Sequence, residues 1–168
     1  GQDNAQIAVV HNGIIENHDE QRDRLIALGY QFYSQTDTEV IAHLVHYYYQ
    51  QTKDLLKAVQ QSITELTGAY AISAIALDNP AQLVVARLGC PLLVGLGEQE
   101  NFLASDLSAV LSATRKVIYL EDGDVAILST EAVVIYDKQG DTVQRKVHMS
   151  DVSLASLELG PYSHFMQK

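Results

Sequence analysis

Asparagine beside glycine sets a side-chain amide next to a backbone N–H that no Cβ shields, and here Asn12-Gly13 follows the apolar run Ile7-Ala8-Val9-Val10. Two adjacent donors of this kind can hold one oxyanion. Acyl transfer needs such a pair, because charge grows on the carbonyl oxygen in the tetrahedral intermediate and preorganised donors stabilise it without reorienting. The same dipeptide between apolar residues is also the strongest short signal for a two-residue hairpin turn. Asn17 with Glu20 has the spacing of a helix N-cap and its N3 partner, which leaves only Ile14 to Glu16 for a return strand. A change from strand to helix just after the Asn12-Gly13 turn is therefore expected.

Asp37 is the second candidate. In Thr36-Asp37-Thr38-Glu39, Thr36 has the place of an N-cap and Glu39 that of its N3 partner, so Asp37 falls in the first turn of a helix. A carboxylate there gains about 0.3–1 kcal/mol from the helix dipole, which is a sufficient structural reason for it. The chemical alternative is that Asp37 accepts a hydrogen bond from the cationic amine of a small ligand.

Other candidates carry less. His43 and His46 lie three apart on one predicted helix without a third ligand in pattern, so no metal is expected. His11 and His18 flank the central stretch and read as backbone-satisfying or surface histidines. Cys90, between Gly89 and Pro91, has no following helix to lower its pKa and reads as a small structural residue. Gly95-Leu96-Gly97 lacks the rest of a dinucleotide fingerprint, and no cofactor is implied.

The elements that must position these groups follow in order. A first helix is expected over 18–28, with Leu25, Ile26 and Leu28 apolar and Gly29 ending it in the left-handed region. Residues 30–34 read as a short extended segment. A second helix begins after Thr36 and presents Val40, Ile41, Leu44, Val45 and Tyr48 to a core; a third, capped by Thr52, keeps helical period through Leu55, Leu56, Val59, Ile63 and Leu66. From 69 onward short apolar runs at 70–77, 82–87, 92–95 and 102–104 predict a four-stranded meander. A short helix over 106–111 and strands at 117–120, 124–128 and 132–136 follow. Helices followed by strands indicate the α+β class, an antiparallel sheet covered by helices.

At 168 residues, a single domain over 1–168 is expected, with regular patterning fading in a tail from 150 to 168. Lys and Arg number 11 against 21 Asp and Glu, a formal charge of -10, so neither nucleic acid nor an anionic membrane is an expected partner. With one cysteine there is no internal disulfide, no apolar run reaches the length of a membrane span, and the cytoplasm is the default location. The polar start without Met gives the look of a piece excised from a longer chain.

Four stretches together carry a resemblance: His11-Asn12-Gly13-Ile14-Ile15-Glu16-Asn17, Ser34-Gln35-Thr36-Asp37-Thr38-Glu39-Val40, Phe102-Leu103-Ala104-Ser105-Asp106 and His164-Phe165-Met166-Gln167-Lys168. In this order they closely resemble the glutaminase domain of the glutamine:fructose-6-phosphate aminotransferase family. The first two are shared more loosely by the wider class II glutamine amidotransferases. The resemblance implies an αββα sandwich like that of the N-terminal nucleophile hydrolases, here incomplete at its N-terminal side. It also implies that Asn12 and Gly13 form the oxyanion hole and that Asp37 binds the α-amino group of L-glutamine. The implied reaction hydrolyses glutamine and passes ammonia to fructose 6-phosphate in a sugar-isomerising half outside this chain. A thiol at a free N-terminal cysteine would be the nucleophile, and Cys90 does not fall at its place, so these residues alone are expected to be inactive. The rival expectations are a non-enzymatic ligand-sensing or interaction module of the same fold and the glutaminase domain of another class II amidotransferase. Strands missing from the sheet would leave the Ile7 to Val10 flank unpaired, so a homo-oligomer is the expected state.

Overall fold

The computed structural model describes residues 6–98, 100–111 and 113–149. The first helices form where the sequence directs them. Thr36 accepts the Glu39 N–H at 3.3 Å and starts α2 (Asp37–Thr52), whose Val40, Ile41, Leu44 and Val45 are fully buried. The other half of the expected box is redirected, since the Glu39 carboxylate accepts the N–H groups of Tyr33 and Ser34 and the Ser34 hydroxyl. Those bonds hold 30–34 as an irregular loop and not as an extended strand. In α1 (His18–Ala27) only Leu25 of the three expected apolar positions is buried, because the helix lies at the rim with Ile26 and Leu28 facing water; Gly29 does take φ 102°.

The cap of α3 (Leu55–Ile63) is Asp54, which accepts the Lys57 N–H at 3.3 Å. Thr52 is still inside α2 and donates back to the Tyr48 carbonyl, so it cannot serve the next helix. Tyr49, not Tyr48, completes the buried stripe of α2 and donates to Asp78 at 2.9 Å. Tyr48 turns sideways to Glu65, which also pairs with Arg24.

Two antiparallel sheets lie beneath these helices. The six-stranded sheet runs β1 (Ile7–Ile15), β2 (Gly68–Ala76), β3 (Asn79–Leu88), β7 (Val125–Leu128), β8 (Val133–Tyr136) and β9 (Thr142–Val143), in that order of neighbours. The four-stranded sheet runs β10 (Val147–Met149), β6 (Lys116–Tyr119), β4 (Leu93–Leu96) and β5 (Asn101–Ala104), with α4 (Leu107–Leu111) between β5 and β6 in the chain. The expected meander therefore breaks after β3, whose next neighbour is β7 and not β4. Period-2 alternation gives each strand its faces but not its sheet, and β2 and β3 are buried on both faces.

Side-chain alternation sorts the core into layers. Ile15, Ile72, Ala74, Val84, Ala86 and Val125 pack against α2 and α3, whereas Ala71, Val85, Ala126, Leu128 and Ile135 pack against Leu92 and against Val94 and Ile118 of the second sheet. Leu93 and Val117 turn to the far side, where Leu107 of α4 meets them. Helices, sheet, sheet and helix stack in that order, an α+β arrangement. Among the described residues no helix is long and apolar enough to cross a membrane.

Candidate functional site

The strand that carries Asn12-Gly13 does not turn there. β1 continues to Ile15 in register with β2, Asn12 opposite Ala71 and Gly13 opposite Tyr70, and the chain leaves the sheet only at Glu16. Glycine is required at 13 on two counts. Its φ is 103°, and a Cβ would stand 2.2 Å from the Ala69 carbonyl oxygen and 2.9 Å from Cys90 Sγ. β1 is the first strand of its sheet, with no further strand on its outer flank among the described residues. Its odd-numbered residues Ile7, Val9 and Ile15 pack toward the helices, while Val10 and Ile14 are 73% and 68% exposed. Asn12 lies between those two at the wall of a cleft of about 320 Å³, shared with Ser73, Leu92, Leu103 and Ser105.

Asp37 reaches the same strand from α2. Its Oδ2 accepts the Ile15 N–H at 2.9 Å, two residues beyond Gly13, and its Oδ1 has no hydrogen-bond partner among the described residues. One turn of helix thus joins its carboxylate to the flank of the Asn-Gly pair. Beside it, Thr38 Oγ1 meets His11 Nδ1 at 2.7 Å, so the start of α2 grips β1 on both sides of Asn12-Gly13. His11 is therefore half-buried and held by a side chain, neither surface nor backbone-bound as expected.

The loop leading to Asp37 is pinned by Glu39. Burial of that carboxyl opposes ionisation, but the Ser34 hydroxyl, the Tyr33 and Ser34 N–H groups and His43 outweigh it and bring its pKa to about 2. His43 Nε2 lies 3.2 Å from Glu39, and His46 Nδ1 lies 2.6 Å from the Tyr30 hydroxyl. The two histidines are thus spent on separate partners. Burial is the largest cause that lowers the His46 pKa, and Lys53 acts in the same direction.

Of the three sequence-selected residues, Asn12 and Gly13 are adjacent on β1, and Asp37 bonds the same strand two residues further on, at Ile15. Cys90 joins them unannounced, its thiol against the Gly13 backbone, where it packs as part of the inter-sheet core. Thr38, Ala69 and Asn17 also shape the site: Thr38 falls inside the capping motif, Asn17 carries the pattern of a helix cap but bonds the 65–67 turn, and Ala69 carries no sequence signal. A cleft of about 800 Å³ lies elsewhere, between α3 and the loops at 122–123 and 137–140, and none of the three candidates lines it.

Residues 1–112 match the profile of the glutamine amidotransferase domain. The glutamine–fructose-6-phosphate aminotransferase (isomerizing) of Xanthomonas campestris is 58% identical over 164 residues, covering 98% of this chain and 27% of that protein. That of Neisseria meningitidis is 60% identical over 164 residues, covering 96% of this chain and 27% of its own length. The chain thus spans about a quarter of the length of the curated relatives it matches. Among solved structures, the glutamine phosphoribosylpyrophosphate amidotransferase of B. subtilis in complex with ADP and GMP superposes with a TM-score of 0.69 at 26% identity, over 82% of this chain and 30% of that one.

Proposed function

Since the chain belongs to the glutamine amidotransferase domain family, we propose that it is the glutaminase part of an enzyme that hydrolyses L-glutamine and delivers the ammonia to fructose 6-phosphate, making glucosamine 6-phosphate. The observation that carries the reading is the Asp37 Oδ2 to Ile15 N–H bond, which sets a carboxylate with one open oxygen beside Asn12-Gly13. In this reading the Asn12 amide and the Gly13 N–H donate to the oxyanion that forms as a thiolate adds to the γ-carbonyl of glutamine. Asp37 holds the substrate α-ammonium, a charge-assisted contact present before and during the reaction. Ammonia leaves, and water then releases glutamate from the thioester.

Cys90 is not that thiol. It is the only cysteine of the 168 residues, and its thiol packs against the Gly13 backbone as part of the inter-sheet core. The 168 residues alone should therefore release no glutamate from glutamine.

The test is an acceptor comparison with the full-length enzyme. Glutamine-dependent product is expected with fructose 6-phosphate and not with phosphoribosyl pyrophosphate or aspartate. Turnover with either of the latter would reject the acceptor; glutamine binding without hydrolysis by the full-length protein would reject the enzyme reading in favour of a sensing module.

A further inference from the structure

Asn17 stands immediately before α1, where the sequence pattern asks its side chain to cap the helix, and the side chain does something else. Its Nδ2 donates to the Glu65 carbonyl at 2.8 Å, and its Oδ1 accepts the Thr67 N–H at 3.0 Å. A primary amide carries the donor and acceptor of a peptide unit, so Asn17 adds one more rung between the end of β1 and the turn that opens β2. The Glu16 N–H donates to the Thr67 carbonyl at 2.8 Å, and the Asn17 carbonyl accepts the Gln21 N–H at 3.1 Å. One residue joins the strand end, the helix start and the 65–67 turn.

That turn leads straight into the contacts that shape Gly13. Gly68 has φ 117°, and a Cβ there would lie 2.2 Å from the Ile14 carbonyl oxygen. The next carbonyl, that of Ala69, is the one a Cβ on Gly13 would strike. Ile15 pairs with Gly68 and Gly13 with Tyr70, so backbone meets backbone with no side chain between to absorb a shift.

We propose that Asn17 is a positioning residue: by fixing the 65–67 turn it fixes Gly68 and Ala69, and through them it aims the Gly13 N–H and the Asn12 amide. The inference rests on the reading of Asn12-Gly13 as oxyanion donors. Misplaced donors forfeit transition-state stabilisation, whereas Asp37 still holds the ground state.

In the full-length enzyme, Asn17→Ala is expected to lower kcat for glutamine hydrolysis about 10–100-fold with KM within about twofold. Asn17→Asp, which keeps the acceptor for Thr67 but sets a carboxylate against the Glu65 carbonyl, should fall between. Gln21→Ala is the control, because Gln21 Nε2 donates to the same Glu65 carbonyl at 3.0 Å and bonds to neither Thr67 nor β1. It should lose thermal stability and keep wild-type kcat. Amide hydrogen exchange over residues 12–16, read in the same variants, should quicken in Asn17→Ala and stay unchanged in Gln21→Ala. Wild-type kcat in Asn17→Ala, or an equal kcat loss in Gln21→Ala, overturns the proposal. A wild-type enzyme without glutaminase activity would reject the proposed function instead; exchange over 12–16 then decides the role of Asn17 alone, unchanged exchange refuting it and faster exchange supporting it.

Discussion

The region around Asn12 and the region around Arg145 are both junctions where distant parts of the chain meet, and they are held by different chemistry. At Asn12 the links are single hydrogen bonds onto backbone or hydroxyl groups: Asn17 to the 65–67 turn, His11 to Thr38, Asp37 to the Ile15 N–H. Each such bond is worth about 0.5–1.5 kcal/mol net, rather more where a charge takes part. At Arg145, between β9 and β10, the guanidinium takes Asp124 in a two-armed pair at 2.8 and 2.9 Å and reaches Glu121 at 3.2 Å. Asp124 is 1% exposed and also accepts the Glu121 N–H at 2.7 Å. Its charge has nowhere else to go. The ion pair commits the chain to cross from one sheet to the other, while the candidate site is assembled from many small terms that set geometry more than stability.

The sharpest way to break this contrast is Arg145→Ala. It leaves the Asp124 carboxylate buried and uncompensated, at an expected cost of about 3–5 kcal/mol in unfolding free energy, measurable by denaturant titration. Replacing Asp124 by Asn in the same variant should recover part of the loss. A cost no larger than that of a single neutral hydrogen bond would erase the distinction between the two junctions.

Within the site the expected effects are on rate. In the full-length enzyme Asn12→Ala should raise the barrier for glutamine hydrolysis by about 2.7–4 kcal/mol through kcat, as the loss of one oxyanion donor does elsewhere. Asp37→Ala should act chiefly on KM, by about 1.5–3 kcal/mol, because a contact to the substrate ammonium exists in ground and transition states alike. Steady-state kinetics with both variants separates the roles, and equal falls in kcat would merge them.

A smaller effect concerns acid. The Glu39 pKa of about 2 lies below its ordinary 4.5, so the stabilisation it gives the 33–36 loop is complete above the ordinary value and is lost as pH falls through about 2. Exchange of the Ser34 amide should accordingly stay slow from neutrality into the mildly acidic range, and Glu39→Gln should quicken it at every pH. Smallest of all, Lys53 ends α2 at φ 57°, a left-handed conformation that costs a side-chain-bearing residue about 1–2 kcal/mol and glycine almost nothing. After the extra chain entropy of glycine, Lys53→Gly should stabilise by up to about 1 kcal/mol by calorimetry and leave both junctions unchanged.

Local rules were legible in the sequence and non-local ones were not. Thr36 as a cap, Gly29 as a left-handed stop and the buried stripe of α2 follow from periodicity and side-chain reach over one turn. Asn12, Gly13 and Asp37 were selected because oxyanion donors and an ammonium acceptor demand those groups. Asn17 was misread because its amide is equally suited to a helix end and to a strand end 50 residues away, and the latter offers two bonds where the former offers one. The Asn12-Gly13 turn was misread for a related reason: positive φ at a glycine permits a turn, but β2 supplies a partner all the way to Ile15. The split of the meander between two sheets lay beyond any reading of alternation, since both faces of β3 are covered.

The Asn17 to Thr67 bond also has a bearing on folding rate. It closes a loop of 50 residues that holds all of α1, α2 and α3, so the ladder between β1 and β2 is a non-local pairing whose closure entropy is met before its contacts are gained. The donors at Asn12 and Gly13 lie in that ladder, so their geometry depends on a contact that local structure alone does not supply. Closure entropy rises only slowly with length, by about 0.6 kcal/mol for each doubling, so extra residues spliced into the irregular stretch between α1 and α2 would scarcely change stability. They would lengthen the search that ends in a working site, and the refolding rate would register them where the melting point did not.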